Sequence, residues 1–149
     1  MCSSDLKMAY EQLKLENQLC FPLYAASRLV IQAYQPHLDR LGITYPQYLV
    51  LMVLWEKDGI NVNEIASQLF LNTNTVTPVL KRMETQGIIS RRRSEEDERK
   101  VIVTLTPKGK GLQVEAASIP EKLSANLVAD NLNMEDLQKL KAQLDVLVQ

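Results

Sequence analysis

Apolar residues recur at helical spacing near the start of the chain and again at its end, with a stretch of extended character between them. From about Phe21 to Leu38, the positions Leu23, Ala26, Val30 and Ala33 share one helical face. Pro22 suits the first turn, where a missing N–H costs nothing. Pro36 is expected to bend or end this helix, and Gly42 closes the segment. A second helix is expected from about Pro46 to Lys57, around the apolar run Tyr48 to Trp55. Asn61-Val62-Asn63-Glu64 offers cap chemistry before Ile65, Ala66 and Leu69, so a short helix of about two turns should follow. Phe70-Leu71-Asn72 is the turn. Thr73 or a near neighbour then caps a helix that buries Val76, Leu80 and Met83 and stops at Gly87. Pro78 is tolerable only near a first turn, which places the start no earlier than about Asn74. Two helices across a short turn form a helix-turn-helix.

After Gly87 the period becomes extended. Ile88 to Arg93 reads as one strand, Lys100 to Leu105 as another, and Ser94 to Arg99 as the polar tip between them. A hairpin directly after a recognition helix is a wing. Thr106-Pro107 restarts a helix, and a last helix opened by Asn133 and Glu135 carries Met134, Leu137, Leu140, Leu144 and Leu147 as one apolar stripe. The winged unit accounts for its own buried faces, so the helices at both ends need another surface, and a second copy of the chain supplies one. The expected fold is mostly α with a small β-hairpin wing (α+β). It is a single domain over 1–149, with a winged helix-turn-helix DNA-binding lobe at 46–105 and dimerisation helices at 15–45 and 106–149.

Composition narrows the class. The chain is 46% apolar over 149 residues, enough for one domain with a sizeable core. Cys2 and Cys20 are the only cysteines, no apolar run approaches the roughly 18 residues of a membrane span, and no basic leader precedes an apolar stretch. A reducing cytoplasm is expected, with no metal site around the lone His37 and no cofactor. Net charge is -1, but from Thr73 to Arg93 five cations (Lys81, Arg82, Arg91, Arg92, Arg93) face Glu84 alone. Such a stretch can meet phosphates, or remain a solvated charge run.

Cys20 lies in Asn17-Gln18-Leu19-Cys20-Phe21-Pro22, where the first long helix opens. Unpaired N–H groups and partial positive charge at a helix start bias a thiol there toward thiolate, the form that attacks peroxides. The alternative for such a cysteine is a small packed hydrophobe.

Four segments carry a resemblance over nearly the whole chain: Leu15 to Phe21, Ile43 to Leu49, Thr77 to Glu84 and Arg93 to Arg99. Together they resemble the MarR family. Asp97-x-Arg99 belongs to its wing in general, and the cysteine segment with Tyr45-Pro46-Gln47-Tyr48 points to the branch of organic-hydroperoxide regulators called OhrR, in its one-cysteine form. The resemblance implies a homodimeric winged-helix repressor that binds a pseudo-palindromic operator of double-stranded DNA. Release would follow oxidation of Cys20 by an organic hydroperoxide. At the start of the recognition helix, Thr73, Asn74, Thr75 and Thr77 are short polar side chains suited to base edges, although one of them is expected to serve as a cap only. Lys81 and Arg82 suit phosphates. Arg99 is the family's minor-groove residue, Asp97 its acidic partner, and Arg91 with Lys100 are further backbone contacts.

The same branch surrounds its reactive sulfur with tyrosines, and the matching positions are Tyr24, Tyr34 and Tyr45. Tyr34 stands fourteen residues beyond Cys20, roughly 21 Å along a straight helix, so it would have to come from the partner copy. Each of these tyrosines has an alternative as ordinary packing. No cysteine follows Cys20, so a sulfenic acid would be completed by a low-molecular-weight thiol or by over-oxidation, unless Cys2 resolves it. Two other readings stand beside this one: a repressor released by phenolic or lipophilic ligands with Cys20 structural, and a thiol peroxidase using Cys20.

Overall fold

The computed structural model describes residues 10–129 and 132–149, so Cys2 lies outside the described residues. Two single-turn 3-10 helices, Glu11–Leu13 and Leu15–Asn17, lead into α1 (Cys20–Leu41). Pro36, expected to bend or end α1, does not end it. It sits inside the helix, whose end is set by Gly42 at φ 70°. The Gly42 N–H reaches the Asp39 carbonyl (3.1 Å) and the Ile43 N–H reaches that of Leu38 (3.2 Å), a left-handed stop that satisfies the last carbonyls. One lost hydrogen bond within 22 helical residues is outweighed by the bonds on either side.

Helix α2 (Tyr45–Glu56) opens on a capping box. Thr44 accepts from the Gln47 N–H, and the Gln47 side chain accepts from that of Thr44, with Pro46 in the first turn. Strand β1 (Ile60–Asn61) was not foreseen because its cap chemistry hides it. Asn61 ends the strand and also caps α3 (Val62–Gln68) by accepting from the Glu64 N–H at 2.9 Å. Helix α4 (Thr73–Thr85) starts one residue earlier than Pro78 seemed to allow. Its N-cap is Asn72 rather than Thr73, and Pro78 lies in its second turn. The carbonyl deprived of a partner there is that of Asn74, on an exposed turn where solvent can reach it.

Strands β2 (Ile89–Arg93) and β3 (Val101–Leu105) form the hairpin, with Ile89 opposite Leu105 and Arg93 opposite Val101. β1 adds to the far side of β3, giving the antiparallel order β1-β3-β2. Thr106 caps α5 (Pro107–Ala116) by accepting from the Gly109 N–H. A break at Ala117 and Ser118 separates it from α6 (Ile119–Ala129), a division that the sequence pattern did not reveal. Helix α7 (Met134–Leu147) has a capping box between Asn133 and Asp136.

The core sits in the winged lobe. Leu51, Leu54, Ile65, Val76, Leu80, Met83, Ile88, Ile89 and Val103 are essentially sealed from solvent. By contrast, Leu38 is the only buried residue of α1, and α7 has none. Phe21, Leu23, Leu29 and Ile31 of α1 and Met134, Leu140 and Leu147 of α7 remain exposed in the single chain. Exposed apolar side chains on this scale mark a surface that another molecule covers.

Candidate functional site

The helix-turn-helix and wing bring five of the ten expected DNA-facing residues to one cleft of the lobe. Thr73 is the first residue of α4, and Thr73, Asn74 and Thr75 are exposed. Thr77 is half-buried and donates its hydroxyl to the Thr73 carbonyl at 2.7 Å, so part of its hydrogen-bonding capacity is used within the helix. Thr73 and Thr77 line a cleft with Asn61, Asn63, Arg91, Arg99 and Lys100, between the first turn of α4 and the base of the wing. Sequence reasoning had not included Asn63, which the short strand β1 and the start of α3 carry to this cleft. Lys81 and Arg82 lie farther along α4, beside Thr44 and Gln47.

Two ion pairs shape the wing. The Glu84 carboxylate accepts from the backbone N–H of Arg91 (3.0 Å) and from its Nη2 (3.2 Å), tying the end of the recognition helix to the outer strand. The Arg91 side-chain hydrogen bond holds the Glu84 carboxyl below the usual carboxylate range. Arg91 Nε is buried with no hydrogen-bond partner. At the wing tip, Asp97 accepts from both the backbone N–H (3.1 Å) and the Nε (3.2 Å) of Arg99. Those bonds depress its carboxyl pKa as well. Ser94 Oγ accepts from the N–H groups of Glu96 and Asp97, and the Ser94 N–H closes the loop on the Lys100 carbonyl at 2.8 Å. The turn is therefore fixed while the Arg99 side chain stands 91% exposed beside its carboxylate partner.

Cys20 is the first residue of α1 and is exposed. No side chain caps this helix, so the N–H groups of its first turn stay unpaired, apart from the one that Pro22 lacks. Tyr24 is one turn away, exposed, with the Arg28 guanidinium 5.6 Å from its ring centre. Tyr34 and Tyr45 are brought together elsewhere, with ring centres 5.2 Å apart, and Tyr48 joins them at 5.7 and 6.3 Å. Tyr48, given no role from sequence, is therefore part of this cluster. Its helical spacing from Tyr45 was the available signal. Burial, with Tyr45 and Tyr48 alongside, pushes the Tyr34 phenol up to about 12, and burial also raises Tyr45 and Tyr48.

Residues 32–115 match the family described as transcriptional regulator SarA/Rot, spanning the end of α1, the whole winged lobe and most of α5. The chain is also 49% identical over 140 residues to the organic hydroperoxide resistance transcriptional regulator of Bacillus subtilis strain 168, covering 94% of this chain and 93% of that protein. The chain belongs to the MarR-like SarA/Rot family of transcriptional regulators. Within that family it is of the organic-hydroperoxide-resistance type. Among solved structures, this MarR-type chain resembles reduced AbfR bound to DNA, at 37% identity and a TM-score of 0.75 over 95% of this chain and 96% of that one. Over-oxidised AbfR bound to DNA gives 39% and 0.71 over 94% and 98%, and disulfide-formed AbfR gives 38% and 0.67 over 95% and 97%. AbfR is a protein of Staphylococcus epidermidis. These relatives are DNA-binding regulators and not enzymes, which removes the thiol-peroxidase reading. Among the described residues of this MarR-type regulator, no helix is long and apolar enough to cross a membrane.

Proposed function

We propose that the protein is a homodimeric repressor, held on a pseudo-palindromic operator while Cys20 is reduced and released when an organic hydroperoxide oxidises it. The observation that carries this reading is the exposed Cys20 thiol on the uncapped first turn of α1, beside a bare apolar helix face. The similarity to a hydroperoxide-resistance regulator and to a regulator solved in reduced, over-oxidised and disulfide forms supports the redox part.

The sulfur attacks the distal oxygen of the hydroperoxide. An S–O bond forms, the O–O bond breaks, and the alcohol leaves with the thiol's proton, giving a sulfenic acid. A low-molecular-weight thiol of the cytoplasm then condenses with it, releasing water and leaving a mixed disulfide. AbfR has been seen on DNA in an over-oxidised form, which favours the bulkier adduct, rather than added oxygen alone, as the releasing species.

Residues 15–45 and 106–149 supply the dimer, in which the partner's copy of α1 runs antiparallel and brings its own tyrosine cluster, Tyr34 and Tyr45, to Cys20 while Tyr24 contributes within the chain. Tyrosine hydroxyls donate to sulfur, and these bonds are lost when the sulfur is modified. On DNA, Thr73, Asn74, Thr75 and Thr77 face base edges. Lys81, Arg82, Arg91 and Lys100 face phosphates, and Arg99, steadied by Asp97, enters the minor groove. An adduct in the dimer interface rotates the two winged lobes off the spacing of about 34 to 36 Å between successive major grooves.

A gel-shift titration on the DNA upstream of the protein's own gene, with and without cumene hydroperoxide, tests the reading. Cys20→Ser should bind the operator and ignore the oxidant, and Cys2→Ser should respond as the parent does. Release of Cys20→Ser by hydroperoxide would show that the sensor is elsewhere.

A further inference from the structure

The tyrosine cluster does not end at Tyr48. The Tyr48 ring meets Trp55 edge-on at 6.4 Å, two turns farther along α2. Trp55 is the only tryptophan in the chain, and its Nε1–H donates to the Gly109 carbonyl in α5 at 3.0 Å. Gly109 in turn lies hard against the start of the wing. A Cβ built on it would overlap the Ile88 carbonyl oxygen and crowd Leu105, so only glycine permits this approach. Between them, the Thr106 hydroxyl accepts from the Gly109 N–H (3.2 Å) and shares its proton between the Gly87 and Ile88 carbonyls (2.6 and 2.9 Å). The Thr106 N–H also reaches the Ile88 carbonyl (3.0 Å).

A continuous set of contacts therefore joins Tyr34 on α1 to the residues where the recognition helix ends and the wing begins. Every link except one is broad ring packing or a hydrogen bond within the wing root. The exception is the bond from Trp55 to Gly109, the side-chain hydrogen bond that runs from the aromatic cluster to α5, on which α1 and α2 also pack through apolar contacts. Apolar packing holds α5 in place, and a directional hydrogen bond in that position can pass a shift of the tyrosines on to α5 and the wing root.

We propose that Trp55 is the positioning residue that couples the tyrosine cluster to the wing. Displacement of the cluster is passed through the indole to Gly109, and through Thr106 to Gly87 and Ile88. The direction of that signal, from an oxidised Cys20 of the partner, rests on the function proposed above. The coupling itself does not.

The test is a double-variant cycle on operator affinity, read by anisotropy of labelled DNA. The cluster is disturbed with Tyr34→Leu, or with Tyr45→Leu if the first variant does not fold, and the indole bond is removed with Trp55→Phe, which keeps an aromatic ring. Trp55→Phe alone should bind DNA as the reduced parent does. The change in affinity caused by Tyr34→Leu should shrink about fivefold in the Trp55→Phe background, the scale of one neutral hydrogen bond. Additive effects overturn the proposal, whatever the response to oxidant.

The same four proteins are then treated with cumene hydroperoxide, and Cys20 oxidation is followed by mass spectrometry. With Cys20 oxidised at the parent rate, Trp55→Phe should lose about fivefold of the release. Full release from Trp55→Phe overturns the proposal. A coupled cycle in which no form responds to oxidant would support the role of Trp55 and refute the redox reading instead.

Discussion

Leu29 offers a quantitative test of the proposed dimer. It lies on the bare face of α1 and, with Val30 and Ala33, lines an apolar groove closed on the other side by Leu123 and Leu127 of α6. In the single chain the Leu29 side chain keeps 64% of its surface exposed. Fully burying a leucine is worth about 2 kcal/mol, so covering the exposed part is worth about 1.3 kcal/mol. A two-fold interface uses the residue twice, giving roughly 2.6 kcal/mol. Alanine retains part of this, so Leu29→Ala should weaken the dimer by about 2 kcal/mol, or about thirtyfold in its dissociation constant. Sedimentation equilibrium over a wide concentration range measures that constant directly. Thermal unfolding provides a second reading, because a dimer-dependent fold has a midpoint that rises with concentration. A dissociation constant within threefold of the parent, or a midpoint constant across a hundredfold dilution, would show that α1 pairs with nothing through this face.

Arg99→Ala should abolish the preference for operator over random DNA. Lys81→Ala should weaken both alike and lower the salt slope of binding by about one unit, and equal operator preference in Arg99→Ala and parent would refute the wing assignment. The Glu84 carboxyl is depressed in the fold by Arg91, so its contribution to stability is present above the ordinary carboxylate range and is lost as pH falls through the folded value. Glu84→Gln should therefore be modestly less stable than the parent at neutral pH and show a flatter acid limb below about pH 4.5, so that the two converge in acid; an unchanged acid limb in denaturant titrations would count against the pair. Gly109→Ala should cost about 1–3 kcal/mol through overpacking against Ile88, read as a melting midpoint lower by at least a few degrees; a midpoint equal to the parent's would mean that the approach is looser than described.

The winged lobe was legible because its signals are local. Caps at Asn61 and Thr106, left-handed stops at Gly42 and Gly87, and the change from helical to alternating period each announce themselves within a few residues. What escaped depends on partners far along the chain. Strand β1 exists only because Ile60 finds Val103, and the role of Tyr48 emerges only when α1 crosses α2. The prolines constrain less than local rules imply: α1 runs on past Pro36, and α4 begins one residue ahead of the start that Pro78 suggests, because a long helix and an exposed turn accommodate them. For the site, residue types at Cys20, Asp97 and Arg99 were readable. The tethering of Arg91 to Glu84 was not, since it needs the hairpin folded back along α4.

The order β1-β3-β2 leaves both margins of the small sheet open, and open strand margins invite other chains to add on. One margin is only two residues long. The other carries Arg91, Arg92 and Arg93 in succession, with the Arg91 backbone N–H already held by Glu84. Like charges along that edge would repel the same edge of a second molecule. These arginines, of which Arg91 is proposed to meet phosphate, would thus also keep free protein from stacking into aggregates, and neutralising all three should cost solubility.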